Sequence, residues 1–297
     1  MVDQGPHRSA RDLEPGWLKQ MPPEKLFSLE GKVAVITGAA GGIGRWLCAA
    51  FGMAGAKVVA TDVEALSLRR VCDELEARGV ETLALAVDLV DDDAAERIVA
   101  AAVDRFGRLD ILVNNAGINR RVPVLEVTPD ILDHIWKVDY IRCYELSQQA
   151  AKVMIRQGGG SILHIGSLNT QVGLEDVSLI GPTKAALSQL AKVQAVEWSR
   201  YGIRTNVVAP GFFATPINAT HWSDPTRAPW IMDRTPMCRP GHPAELAGAA
   251  LLLVSGAGSF ITGQTIYVDG GFTAGSRWNV PSGTGLETYR EKYAPAE

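Results

Sequence analysis

Residues 32–44, KVAVITGAAGGIG, decide the fold. A β-branched run ends in the turn Gly38-Ala39-Ala40-Gly41-Gly42-Ile43-Gly44 and passes directly into a helix-like stretch, Arg45–Gly55. Glycines let a chain turn sharply and approach a pyrophosphate, whose charge is met by the N–H groups and positive dipole end of the helix that follows. A glycine-rich turn alone is a weak signal. Its context strengthens it: the next apolar run, KVVATD (57–62), ends in Asp62, where a carboxylate accepts hydrogen bonds from adenosine ribose hydroxyls. The same carboxylate repels a 2′-phosphate, and no Lys or Arg directly follows it, so NAD(H) is favoured over NADP(H). Asp62 also suits the N-cap of a helix over 64–78.

Working outward, the runs TLALAVD (82–88), LDILVNNAG (109–117), GSILHIGS (160–167), RTNVVAPG (204–211) and QTIYVDGG (264–271) are apolar enough to be buried on both faces. That is the mark of parallel strands covered by helices above and below. Helical spacing falls between them over Leu66–Arg78, Ala94–Phe106, Asp130–Gln157, Lys184–Tyr201 and Pro243–Ser255, with Gly at several exits. Seven strands and six crossovers make an α/β, doubly wound, Rossmann-type three-layer fold with a seven-stranded parallel sheet. One domain is expected over 29–272. Residues 1–28 form an extension rich in Pro and charge, which Trp17, Leu18, Met21, Leu26 and Phe27 partly dock. Residues 273–297 form a tail anchored by Trp278, Tyr289 and Tyr293.

Composition narrows the function. Of 297 residues 46% are hydrophobic and 21% charged, which excludes a collagenous or wholly disordered chain. With 29 Lys and Arg against 33 Asp and Glu, the net charge of −4 suits no nucleic-acid partner. Cys48, Cys72, Cys143 and Cys238 form no CxxC pair, so neither a metal site nor a disulfide framework is expected. The longest apolar stretch, around Ala249–Val254, is far too short to span a bilayer, and the N-terminus carries no apolar signal segment, so the expectation is a cytoplasmic protein without membrane contact.

The chain resembles the short-chain dehydrogenase/reductase family from about Leu29 to Phe272. The likeness is carried by Thr37-Gly38-x-x-x-Gly42-Ile43-Gly44, Asn114-Asn115-Ala116-Gly117, Pro210-Gly211 with Thr215, and Tyr267-Val268-Asp269-Gly270-Gly271. Within the family, NNAGINRRVPVLE and ITGQTIYVDGGFTA are similar to sugar-acid and polyol dehydrogenases such as the gluconate 5-dehydrogenases. The resemblance implies a dinucleotide held by Gly38, Ala40, Gly41, Gly42, Ile43, Asp62, Pro210 and Gly211. It further implies Asp88 and Leu89 beside the adenine, Asn115, Ala116 and Gly117 along the nucleotide, Thr215 at the carboxamide, and Lys184 on the nicotinamide ribose. It also implies a homotetramer formed through the helices over 130–157 and 184–201.

The family's chemistry uses an Asn, a Ser, and a Tyr four residues before a Lys. Ser167 and Lys184 stand where that Ser and Lys should; Ile180 stands at the Tyr position and Asp139 at the Asn position. Isoleucine cannot trade a proton, and loss of such a group typically costs ~10²–10⁴ in rate. Asp139 with Lys184, joined through water, is the first choice of substitute. Glu175 and Asp176 are read as loop carboxylates able to swing in, Tyr140 and Tyr144 as packing aromatics, and His164 as a core histidine. Around the substrate, Ser167 offers a hydroxyl, Ile180 an apolar wall, and Arg120 with Arg121 a guanidinium pair suited to a carboxylate. The segment Phe212–Arg239 reads as a mobile lid with no chemistry of its own. Two functions are thus open: an NAD(H)-dependent oxidoreductase of a small polyhydroxylated or cyclic alcohol with an altered proton-transfer set, or a dinucleotide-binding protein of this fold without efficient hydride transfer.

Overall fold

The computed structural model describes residues 22–275; the anchors Trp17, Leu18, Met21, Trp278, Tyr289 and Tyr293 lie outside the described residues. A short helix α1 (Pro23–Leu26) leads into β1 (Val33–Thr37), α2 (Gly44–Met53), β2 (Lys57–Asp62), α3 (Ala65–Glu76), β3 (Thr82–Ala86), α4 (Ala94–Phe106) and β4 (Ile111–Asn114). Then follow α5 (Pro129–Trp136), α6 (Arg142–Arg156), β5 (Gly160–Ile165), α7 (Ile180–Trp198), β6 (Ile203–Pro210), α8 (Ala219–Ser223), α9 (Arg227–Arg234), α10 (Leu246–Val254) and β7 (Thr265–Val268). The seven strands form one parallel sheet in the order β3-β2-β1-β4-β5-β6-β7. Connections reverse direction between β1 and β4, and the crevice that opens there beyond the strand ends is where a doubly wound sheet binds ligands.

Strand alternation divides the core. Ala34 and Ile36 of β1 face Leu47, Phe51 and Leu253 on one side of the sheet, while Val33 and Val35 face Ile98, Leu146 and Met154 on the other. Both faces are covered, which is why the strands are continuous apolar runs. All four cysteines are unpaired. Among the described residues no helix is long and apolar enough to cross a membrane.

Three expected elements differ from the observed ones. The helix expected over 130–157 is interrupted by a π-helical turn, Lys137–Ile141, between α5 and α6. The helix expected from Lys184 begins at Ile180, because Pro182 sits in the first turn, where its missing N–H costs nothing. The lid, read without elements, carries α8 and α9.

Candidate active site

A cavity of about 640 Å³ opens over the strand ends at the β1/β4 switch. It is lined by Gly38, Ala40, Gly41, Gly42, Ile43, Asp62, Asp88, Leu89, Asn115, Ala116, Gly117, Pro210, Gly211 and Thr215, which are the expected nucleotide contacts with the exception of Lys184. Backbone proximity shapes the floor. Gly38 adopts φ +63°, and a Cβ there would lie 2.8 Å from the Ala116 Cα. A Cβ on Gly42 would lie 2.9 Å from the Thr215 Cβ, so glycine is what keeps the loop and the strand-six exit in contact.

Side chains then fix that floor. Asn115 donates from Nδ2 to the carbonyls of Thr37 at 2.8 Å and Gly38 at 3.0 Å, and its own N–H and that of Ala116 donate to Thr37 Oγ1 at 3.0 and 2.9 Å. Asp62 accepts from the Ala40 N–H at 2.9 Å and the Glu64 N–H at 3.1 Å. It therefore ties the glycine loop to the β2 exit, and the N-cap of α3 is Glu64 instead. The Arg142 guanidinium, buried on α6, donates to the Leu89 carbonyl at 2.7 Å and holds the loop after β3. Thr215 is 7% exposed, and its Oγ1 has no hydrogen-bond partner among the described residues. Arg45, in the first turn of α2, also lines the cavity; sequence reading passed over it as an ordinary helix residue.

Beyond Gly117 lies a buried ion pair. Lys184 Nζ stands 3.7 Å from Asp139 Oδ2, with both side chains almost wholly enclosed, so the two meet directly instead of through the expected water. A Cβ on Gly117 would lie 3.3 Å from that Nζ. Asp139 Oδ1 accepts from the Ile118 N–H at 2.8 Å, whereas Oδ2 has no hydrogen bond among the described residues. Burial pushes the Asp139 carboxyl above the ordinary carboxylate range, against the opposing pull of Lys184. The π turn positions this carboxylate, placing Val138 and Asp139 inward while Tyr140 packs edge-on against Trp136.

Ser167 stands just beyond β5, where its Oγ accepts from the Asn169 N–H at 3.1 Å and donates to Asn169 Oδ1 at 3.2 Å. Asn169 gave no signal in the sequence. Ile180 is half-buried in the first turn of α7, one turn before Lys184 and on the same helix face. Four tyrosines lie among the described residues, Tyr140, Tyr144, Tyr201 and Tyr267, and none hydrogen-bonds Asp139, Lys184 or Ser167. His164 is fully enclosed between Asn114 at 3.1 Å and Gln194 at 3.1 Å, a core residue as expected. Of the two arginines after β4, Arg120 is exposed and Arg121 half-buried; Arg121 Nη2 meets His221 Nε2 of the lid at 2.6 Å. Glu175 stays on the surface, while Asp176 takes the strained φ of 60° and accepts from the Val122 N–H.

The family model described as enoyl-(acyl carrier protein) reductase matches residues 38–273. The chain belongs to the short-chain dehydrogenase/reductase family. It is 38% identical over 248 residues to the gluconate 5-dehydrogenase of Gluconobacter oxydans, a match covering 84% of this chain and 97% of that one. The crystal structure of a gluconate 5-dehydrogenase from Burkholderia cenocepacia in complex with NADP and tartrate superposes with a TM-score of 0.81 at 34% identity, covering 84% of this chain and 98% of that one. A 7α-hydroxysteroid dehydrogenase complexed with NADH and 7-oxo glycochenodeoxycholic acid gives 0.82 at 32% identity, with 87% and 99% covered. These family members hold one or the other nicotinamide dinucleotide, so membership supports a site for NAD(P) without choosing between the two.

Proposed function

We propose that this protein is an NAD(H)-dependent oxidoreductase of a secondary alcohol or ketone on a small polyhydroxylated acid, working with Asp139 in place of a phenol. The cavity fits a dinucleotide on two counts: a floor whose close contacts at Gly38 and Gly42 leave no room for a side chain, and an unpartnered Thr215 Oγ1 on a residue of the lining. Asp62 favours NAD(H), since its carboxylate would meet a 2′-phosphate with like charge. When bound, the dinucleotide supplies or accepts the hydride.

The protein's own part is the proton. The observation that carries the reading is the Lys184–Asp139 pair packed against Gly117, a residue of the cavity lining, with one carboxylate oxygen free of hydrogen bonds. In the oxidising direction the alcohol proton passes to a water beside Ile180 and on through the Lys184 ammonium, which hands one of its own protons to the enclosed Asp139 Oδ2. Protonation neutralises the Asp139 carboxylate and leaves Lys184 as the positive charge, which holds the ribose hydroxyls in place. Ser167, released from Asn169 Oδ1, donates to the substrate oxygen. Arg120 and Arg121, in the loop after β4, suit the acid group. A raised carboxyl serves this role, because it moves the base toward neutral pH.

The test is turnover: the protein is mixed with NAD+ or NADP+ and a panel of polyols, sugar acids and cyclic alcohols, and absorbance of the reduced nicotinamide is followed. Oxidation of a sugar acid with NAD+ preferred is the expected result. No turnover in the native protein, with activity appearing only in Ile180→Tyr, overturns it in favour of a dinucleotide-binding protein that does not efficiently transfer hydride. A homotetramer joined through the outer faces of α6 and α7, where Tyr144, Val193 and Val196 are exposed, completes the proposal; a monomer in sedimentation equilibrium refutes that part.

A further inference from the structure

The lid is anchored at its base and meets the body of the protein at Met237, whose N–H donates to the Gly270 carbonyl at 3.1 Å, and at a side-chain polar point on α8. The base is a bridge between Phe213 and Gly241, closed by the Ala214 N–H to Gly241 carbonyl bond. The polar point is the contact of His221, on α8, with Arg121 at 2.6 Å. A guanidinium can only donate, so Nε2 of this histidine is the acceptor and its neutral ring must carry the proton on Nδ1. His221 is 5% exposed, and Nδ1 has no partner among the described residues. The protein thus holds a buried N–H donor whose direction is set by an arginine and whose acceptor is missing, a costly arrangement unless something else supplies the oxygen.

The charge around this donor indicates what supplies it. Arg121 is half-buried, and no carboxylate among the described residues lies within salt-bridge distance of it; Asp176 is near but unpaired. Arg227 adds a second positive charge close to both Arg121 and His221. Asp224, the lid carboxylate beside His221, is occupied by the N–H groups of Thr226 at 2.8 Å and Arg227 at 2.9 Å. Arg121 is four residues along the chain from Gly117, which covers the Lys184–Asp139 pair, so the backbone of this arginine stands within roughly 14 Å of that glycine.

We infer that His221 is the lid's substrate contact: Nδ1–H donates to a carboxylate oxygen of the substrate, Arg121 neutralises that carboxylate, and the lid closes on acids in preference to neutral polyols. This rests on, and deepens, the reading above that the substrate is a small polyhydroxylated acid at the Lys184 end. Two isosteric replacements separate the roles of the ring. Glutamine at 221 puts an acceptor where Nε2 was and keeps the Arg121 contact but has no Nδ1–H; asparagine puts an amide N–H where Nδ1 was.

Binding is measured on the full chain with saturating NADH, by tryptophan fluorescence with Trp222→Phe as control, using potassium gluconate, sorbitol and sorbitol 6-phosphate as probes. The expected result is gluconate bound more tightly than sorbitol, weakened about 10- to 100-fold in His221→Gln and within about threefold of native in His221→Asn, with sorbitol unchanged in both. Native-like gluconate affinity in His221→Gln overturns the inference, as does an equal loss for sorbitol or the absence of any preference for gluconate. Sorbitol 6-phosphate binding more tightly than gluconate overturns the carboxylate assignment. Gluconate binding as expected without hydride transfer refutes the oxidoreductase reading and leaves this one standing.

Discussion

The two ends of this site are built from different materials. The nucleotide end is backbone: glycines at 38 and 42, carbonyls fixed by Asn115, and a loop strapped by Asp62. The chemical end is buried side chains, with Lys184, Asp139 and Ile180 set in two helices and a π turn. A backbone cradle tolerates little beyond glycine, whereas a cluster of side chains can exchange one acid for another while the helices stay where they are. Under the proposed function, this contrast lets a family-like cofactor end accompany a proton-transfer end built on Asp139.

Asp139→Asn tests that separation most severely. Turnover should fall by ~10²–10⁴, the usual worth of a positioned general base, while calorimetry finds the NAD+ affinity within about threefold of native. If affinity collapses with turnover, the two ends are one unit and the contrast fails.

A smaller effect sharpens the contrast through the polar row behind the chemical end. Burial lowers His164 from 6.5 to about 4. Its folded pKa lies below its unfolded one, so the neutral ring stabilises the fold fully above pH 6.5, and that stability is lost as the pH falls toward 4. The gap corresponds to on the order of 3 kcal/mol. His164→Gln should flatten the dependence of the thermal midpoint over this interval; an unchanged slope would place the acid sensitivity elsewhere.

The nucleotide end was legible in the sequence because its signals are local. A β-branched run, a glycine turn and a carboxylate at the next strand end each follow from chain geometry, and α4 was read to the residue because Gly107, at φ +75°, stops it. The chemical end was legible as residue types and not as geometry. Asp139, Ser167 and Lys184 were marked by position, but nothing in KVDYI announces a π turn, since five ordinary helix-compatible residues fit either hydrogen-bond register. The helix is expected only from Lys184, although proline in a first turn is permitted and Pro182 sits in that of α7. The Arg121–His221 contact joins residues 100 apart in sequence, across a lid whose prolines and short helices leave no periodic trace.

The π turn has one more consequence. A helix of constant pitch has a single phase, so the face that packs on the sheet dictates every side chain along it. By admitting one wide turn at Lys137–Ile141, this helix resets its phase midway: Leu146, Ala150 and Met154 stay seated in the core while Asp139 is aimed independently of them. Changes in reactivity can therefore accumulate on the near side of that dislocation without disturbing the packing on the far side.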